Sequence, residues 1–518
     1  MSCTKNFEQI NTDIKHPADV PGNSLFTGAL LNLADQVSNT NVNRNVWKLF
    51  AQYWTETTYT NEANYDVVNR RIPDNLFRTY YNDVLKNLED AKAKIEAEEA
   101  LTEDAKVNKQ NRLAIIELVE AYAYQRLVDM FGNIPYTEAL DPNNAHPKYD
   151  DALTIYNDLI KRVETALGQL NAGAPSFGEA DLVYGGNTAS WAKFGHSLLV
   201  KLGATLIDVD QTKAVDLVQN NYADAFAGNS DNAELAYLSS TPNTNPLYED
   251  LVLSGRADFV AANTIVDIMN TLADPRIFDY FSHPVSIAFK VDVNDDGEIT
   301  AYHDSVYTQS MFLFYDLDKD GSIDSSTYKS APWTLAVSDT AYDIYRYDGG
   351  PYGYSNSYGN YSHPGARFYD PTFPAVLLSY DEVTFYAAIV ANKAGVTVDG
   401  KSAADLYAAA IQASFDWWGA GDASAYIAAN PLSDENLATQ AWLAAYSRGL
   451  VGFTFWRLLD APTFNKPESP AQGVADDGLP RRMTYPVNEQ TLNADNYQAA
   501  SSAIGGDLLK TMLFWDKN

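Results

Sequence analysis

The 518 residues include 46% hydrophobic and 13% aromatic side chains, enough for a large buried core, which excludes global disorder. Against 36 lysines and arginines stand 68 aspartates and glutamates, and the net charge of −32 repels nucleic acid and anionic lipid headgroups. That balance suits a neutral ligand, a cation or a basic partner.

The chain opens Met1-Ser2-Cys3, without the charged and apolar stretch of a secretory signal. Cys3 is the sole cysteine, so the sequence holds no intramolecular disulfide and no cysteine metal cluster. A small residue directly before a cysteine is the setting of bacterial lipoprotein acylation, and Cys3 is expected to carry the lipid. Several acyl chains there would be the only anchor, because no uncharged apolar run is long enough to span a bilayer.

The first half reads as helix after helix. Helices are expected at Ser24–Ser38 and Val46–Tyr59. Pro73 opens another, in which Phe77, Tyr80, Val84, Leu88, Ala91 and Ile95 recur at threes and fours. Leu113 to Phe131 is apolar on nearly every face, as a helix in the middle of a stack must be, and it stops at Gly132-Asn133-Ile134-Pro135. Asp151–Leu170 carries a clear helical stripe, and further helices are expected at Thr188–Ile207 and Asp258–Leu272. After residue 379 helices return. Ser379 with Glu382 reads as a capping box, followed by helices at Ala403–Trp418 and Leu437–Trp456. The fold class is mainly α, with tetratricopeptide-like helical hairpins stacked side by side.

Between Pro284 and Pro374 helical periodicity vanishes and Gly, Asp, Tyr and Ser take over. The segments SIAFKVDV and MFLFYDLD read as short strands. A stretch this long and this aromatic reads as an ordered insertion laid over a scaffold that otherwise runs as one unit from 1 to 518.

Two acidic loops in the insertion share one pattern. Asp292, Asn294 and Asp296 lead into Gly297 and Glu298; Asp316, Asp318 and Asp320 lead into Gly321, Ser322 and Asp324. Oxygen side chains at alternate positions before a glycine form the front half of a calcium loop, in which Glu298 and Ser322 would offer carbonyls and Asp324 a further ligand. The usual last glutamate is replaced by His303 and Thr327, so neither loop is an EF-hand. A structural Ca²⁺ is expected, the alternative being plain Asp-Gly hairpin turns.

Further on, Tyr342, Tyr345, Tyr347, Tyr352, Tyr354, Tyr358 and Tyr361 alternate with small polar residues. Tyrosine faces stack on sugar rings while neighbouring amides and carboxylates take the hydroxyls, which makes these residues candidate ligand contacts. Trp333 and Trp54 are secondary candidates, although a tryptophan in a helical stripe is ordinarily core.

No HExxH, GxSxG, Walker or GxGxxG pattern is present, and six scattered histidines form no cluster in sequence. The chain therefore reads as a binding protein and not an enzyme. A glycoside hydrolase using two of the many carboxylates and a peptide-binding helical scaffold remain the alternatives.

The closing block, LPRRMTYPV through Gly505-Gly506-Asp507 to Trp515-Asp516, resembles the end of the SusD/RagB-like nutrient-binding lipoproteins of Bacteroidetes outer membranes. QYWTETTY (52–59), FGNIPYTEAL (131–140), YDDALTIYNDL (149–159), ADPRIFDYF (273–281), SYDEVTFYAAIVANKAG (379–395) and LYAAAIQASFDWWG (406–419) resemble that family's motifs in order, as CTKNFEQINTD resembles its mature N-termini. One departure is Trp456-Arg457, where many members carry a second arginine. The resemblance implies a lipid-anchored protein on the outer face of the outer membrane. It would capture a nutrient, an oligosaccharide or a peptide, and deliver it to a SusC-like TonB-dependent transporter.

Overall fold

The computed structural model describes residues 20–287, 290–295, 299–303, 306–335 and 342–517. Cys3, Asp296 and Glu298 lie outside the described residues, as does the side chain of Asp292.

The expected stack of helical hairpins is present, and local chemistry explains where its helices begin and end. At the start of helix Glu103–Phe131 the Thr102 hydroxyl accepts the Ala105 amide at 3.2 Å, while Glu103 and Asp104 face the positive end of the helix dipole. From Asn111 onward nearly every side chain of this helix is buried, and Gly132 ends it with φ 81°. Some of the polar groups it buries are matched, while Glu120 Oε1 and Gln125 Oε1 have no hydrogen-bond partner among the described residues. Arg126 Nε donates to Tyr80 Oη at 2.8 Å, and the Asp129 carbonyl accepts from Arg457 Nη1 at 2.9 Å. Asp151 and Asn187 cap helices Ala152–Gln169 and Thr188–Thr205.

Neighbouring helices pack in sequence order. Gly22–Ser38 lies on Lys86–Glu96, which lies on Glu103–Phe131, and Ala152–Gln169 and Thr188–Thr205 follow. Tyr380–Ala394 then joins Thr188–Thr205 to Ala403–Trp418 and to the pair Asp434–Ala444 and Gly449–Leu459. One continuous hydrophobic cluster runs through this stack from Phe26 to Trp515.

Four expectations need correction. The helix expected over Val46–Tyr59 covers only Trp47–Phe50; Trp54–Glu56 is a strand paired antiparallel with Phe259–Ala261, so the helix expected from Asp258 begins at Asn263. The tertiary pairing wins over helical spacing here. Leu437–Trp456 is two helices broken at Ala445–Arg448. Ser379 makes no capping box: its hydroxyl donates to Asp381, and Glu382 instead accepts from buried Lys201 Nζ at 3.0 Å. The observed box is Ser402 with Asp405.

The described residues of the insertion are short strands and loops, as expected, with 3₁₀ turns at Tyr358–Asn360 and Ala366–Tyr369. Its largest sheet has the order Ser325–Lys329, Met311–Asp316, Asp343–Arg346, Val285–Ser286, all antiparallel. A small core of Ile287, Met311, Leu313, Trp333, Leu335 and Ile344 fills one face. Phe314, Tyr347 and Tyr352 belong to the main core and tie the insertion to the scaffold.

The end of the chain is clamped. Arg482 Nη2 donates to the Phe131 carbonyl at 2.8 Å and its Nη1 to Asp507 at 2.7 Å. The Arg457 guanidinium lies over the fully buried Trp515 ring at 4.8 Å, so this position is structural even without a second arginine beside it.

Candidate functional site

Among the described residues, the segment Gln52–Arg71 gathers the most left-handed non-glycine backbone. Gln52, Tyr59, Tyr65 and Arg71 all have φ between 52° and 67°, four of the ten non-glycine residues with positive φ among the described residues. Such backbone persists only where surrounding contacts over-determine it, and it concentrates at functional sites.

The contacts are on hand. Gln52 Nε2 donates to the Asn465 carbonyl at 2.7 Å and to Tyr65 Oη at 3.0 Å, while its Oε1 accepts from Thr264 and from the Asn465 amide. Asn64 Nδ2 donates to the Gly353 carbonyl at 2.7 Å, and Asn64 Oδ1 accepts the Ser469 amide at 2.7 Å. Ser355 Oγ donates to the Thr57 carbonyl at 2.7 Å, and Asn356 Nδ2 to that of Glu56 at 3.1 Å. Gly353 is needed at this junction: its φ is 78°, and a Cβ would stand 2.4 Å from Pro467 Cβ.

Held in this way, the loop projects Tyr59, 69% exposed, into one cleft, while its later residues wall a second. One, of about 600 Å³, is lined by Tyr59, Asn41, Asn43, Arg70, Asp250 and Arg256 among others. The other, of about 760 Å³, lies against the closing block, with Asn61, Asn69, Gln472 and Gln490 among its walls. In the first cleft Arg256 forks onto Asp258, with Nη2 to Oδ1 at 2.8 Å. Asp250 Oδ2 accepts the Thr40 amide at 3.1 Å, and burial raises its carboxyl above the usual range. Behind it Lys48 donates to the Ser38 carbonyl at 3.3 Å, and burial pushes its ammonium down to about 7.

The tyrosines singled out in the sequence divide. Tyr354 and Tyr342 are exposed, and Tyr345 and Tyr361 are half-buried. Tyr358 stacks on His363 with centroids 3.7 Å apart. Tyr347, Tyr352, Trp54 and Trp333 need correction, because their faces are spent on packing. Tyr352 Oη donates to the Leu49 carbonyl at 2.8 Å, Trp54 Nε1 to Tyr446 Oη at 2.9 Å, and Trp333 stacks on Tyr307 at 4.1 Å. The sequence reading missed Tyr59, Arg70, Asp250 and Arg256. The polar run Thr57-Thr58-Tyr59-Thr60-Asn61 was the available signal, hidden inside an expected helix.

The second acidic loop joins strands Met311–Asp316 and Ser325–Lys329. Carboxylate oxygens of Asp316, Asp318 and Asp324 converge within 4.8 Å of one another. Asp316 is buried and accepts the Gly321 amide at 2.8 Å and the Asp320 amide at 3.2 Å. Asp320 stands outside the converging group, its Oδ1 accepting the Ser322 amide at 2.8 Å. This all-oxygen donor set fits a hard cation such as Ca²⁺. In the first loop Asn294 is exposed, and its partner acids fall outside the described residues or side chains.

Residues 14–335 and 328–486 match a SusD-like family model described as starch-binding and associating with the outer membrane. The chain belongs to the SusD-like family. Its fold is similar to that of a chitin-binding SusD homologue from Flavobacterium johnsoniae, at 18% identity and TM-score 0.71, over 95% of this chain and 99% of that one. A SusD homologue from Bacteroides uniformis is similar at 20% identity and TM-score 0.72, over 95% and 99%. No protein of curated function matches the sequence. Among the described residues no helix is long and apolar enough to cross a membrane.

Proposed function

We propose that this SusD-like protein captures an oligosaccharide at the outer face of the outer membrane, anchored through acylated Cys3, and passes it to a SusC-like TonB-dependent transporter. The family description and the chitin-binding relative support a glycan ligand. The observation in this chain that carries the reading is the strained, many-times-pinned loop that presents Tyr59 in a polar cleft and walls a second cleft with its later residues. An exposed ring beside amides and charged groups already held in place provides a stacking face and hydroxyl partners with little ordering left to do on binding. We propose Ca²⁺ at Asp316, Asp318 and Asp324 as a staple for the insertion; it takes no part in capture chemistry.

Glycan-array binding followed by calorimetry tests capture, with Tyr59→Ala as the weakened control. Product formation from a labelled oligosaccharide would replace this reading by the hydrolase, and selective peptide binding would replace it by the peptide scaffold. Co-purification from membranes should recover a large β-barrel partner. Cys3→Ala should leave the protein in the aqueous phase on detergent partition.

A further inference from the structure

Beneath the Tyr59 loop lie two acids that no cation neutralises as a pair. Glu56 ends strand Trp54–Glu56 and is 3% exposed; Glu62 is fully buried in the loop above it. Glu56 Oε2 accepts the Ala63 amide at 2.9 Å. Glu62 Oε1 accepts from Arg70 Nε at 2.6 Å, and Arg70 continues into the cleft that Tyr59 lines. Glu62 Oε2 is buried, and among the described residues no amide, hydroxyl or cation donates to it. The group that faces it is the Glu56 carboxyl. Two ionised carboxylates in one dry site repel strongly, whereas one proton between them turns the repulsion into a hydrogen bond and satisfies the orphaned oxygen.

We propose that Glu56 and Glu62 share one proton, and that this acid pair is the positioning element that holds Arg70 and the Tyr59 loop in the capture geometry, so that alkaline solution releases the loop. The proposal rests on the capture reading above and names its regulation. The charged and titratable groups facing Glu56 are Glu62 and Arg70 from the loop side and the Tyr352 phenol from the insertion. Burial first, then Glu62, pushes the Glu56 carboxyl up to about 9. A carboxyl raised in the folded state favours folding fully below its unfolded value, and that contribution fades as pH rises through the folded value. The loop is thus held most tightly in acid, loosens progressively as pH rises toward about 9, and changes no further above it.

Hydrogen–deuterium exchange on the ligand-free protein reads the loop directly. Protection of the amides of residues 57–70, corrected for the intrinsic base-catalysed rise, should fall progressively from about pH 6 to about 9 and level off above it, while the Glu103–Phe131 helix stays protected. Glu56→Gln keeps a neutral donor and cannot ionise, so its protection should be flat over that range. With chitohexaose and maltohexaose as probes, the apparent Kd of the native protein should rise with pH, by at most about tenfold per unit, up to about 9 and level off beyond it, and that of Glu56→Gln should not. Loop protection that does not change with pH in the native protein, or an identical pH profile in Glu56→Gln, overturns the proposal. If neither hexasaccharide binds at any pH while the exchange transition is present, the glycan reading fails and the shared proton stands. The exchange profile of the native protein decides the matter should Glu56→Gln not fold.

Discussion

The helical scaffold buries several matched ion pairs within one long core, whereas the 284–374 insertion rests on six buried apolar residues and a few bridging rings. In the scaffold Arg276 pairs with Asp274 at 2.6 Å with both side chains fully buried, Lys201 with Glu382 at 3.0 Å, and Arg448 with Asp381 at 2.9 Å. The insertion has Leu313 and its five partners, strands of two to six residues, and an acidic loop whose Asp318, Asp320 and Asp324 are exposed. Stability in such a molecule is uneven, and the insertion is the part expected to open first. The Tyr59 loop is built differently again. It carries strain, and both regions pin it: Asn465 and Ser469 from the scaffold side, Gly353, Ser355 and Asn356 from the insertion.

The contrast breaks if the two regions melt as one. Arg276→Ala strands the Asp274 carboxylate, along with the Ser414 and Gln440 groups that bond the guanidinium. It should cost about 3–5 kcal/mol and lower the whole far-UV melt. Leu313→Ala empties part of the small core, at about 3 kcal/mol. Its effect should be local: faster protease cleavage between residues 284 and 374, with the helical melt nearly unmoved. A helical melt that falls as far as it does for Arg276→Ala would show the insertion to be part of the scaffold's cooperative unit.

Calcium sharpens the same contrast. At a hundredfold excess over its Kd, an ion bound only by the folded loop adds about 2.7 kcal/mol. EDTA should therefore speed cleavage within the insertion and leave the helices folded. Unchanged cleavage would reduce Asp316, Asp318 and Asp324 to a plain turn.

What the sequence made legible follows the range of the interactions. The stripe of Leu153, Tyr156, Ile160, Val163, Leu167 and Leu170 repeats along one helix and needs no distant partner to be read. The strand Trp54–Glu56 depends on Phe259–Ala261, some two hundred residues away, and local spacing there mimics a helix. The four left-handed residues of the Tyr59 loop include no glycine, so nothing in their identity marks the turn. Tyrosine content located an aromatic insertion, yet Tyr352 is core and Tyr354, two residues on, is exposed. Composition carries no information about which of two neighbours faces in.

The smallest expected effect is also the one most specific to capture. Tyr59 is 69% exposed, so Tyr59→Ala removes little buried surface and should shift stability by less than about 0.5 kcal/mol. If its ring is the stacking face, losing it removes about 1 kcal/mol of binding, roughly a fivefold rise in the Kd for a glycan probe. Tyr59→Phe keeps the face, drops the hydroxyl and should bind nearly as the native protein does. Tyr354→Ala, on the loop bonded to Thr57 through Ser355, should weaken binding by a similar or smaller factor if the glycan bridges both loops. Calorimetry of the three variants separates the cases. Native affinity in Tyr59→Ala would move the site off this loop, to the half-buried Tyr358 and His363 stack of the insertion as the next aromatic surface to test.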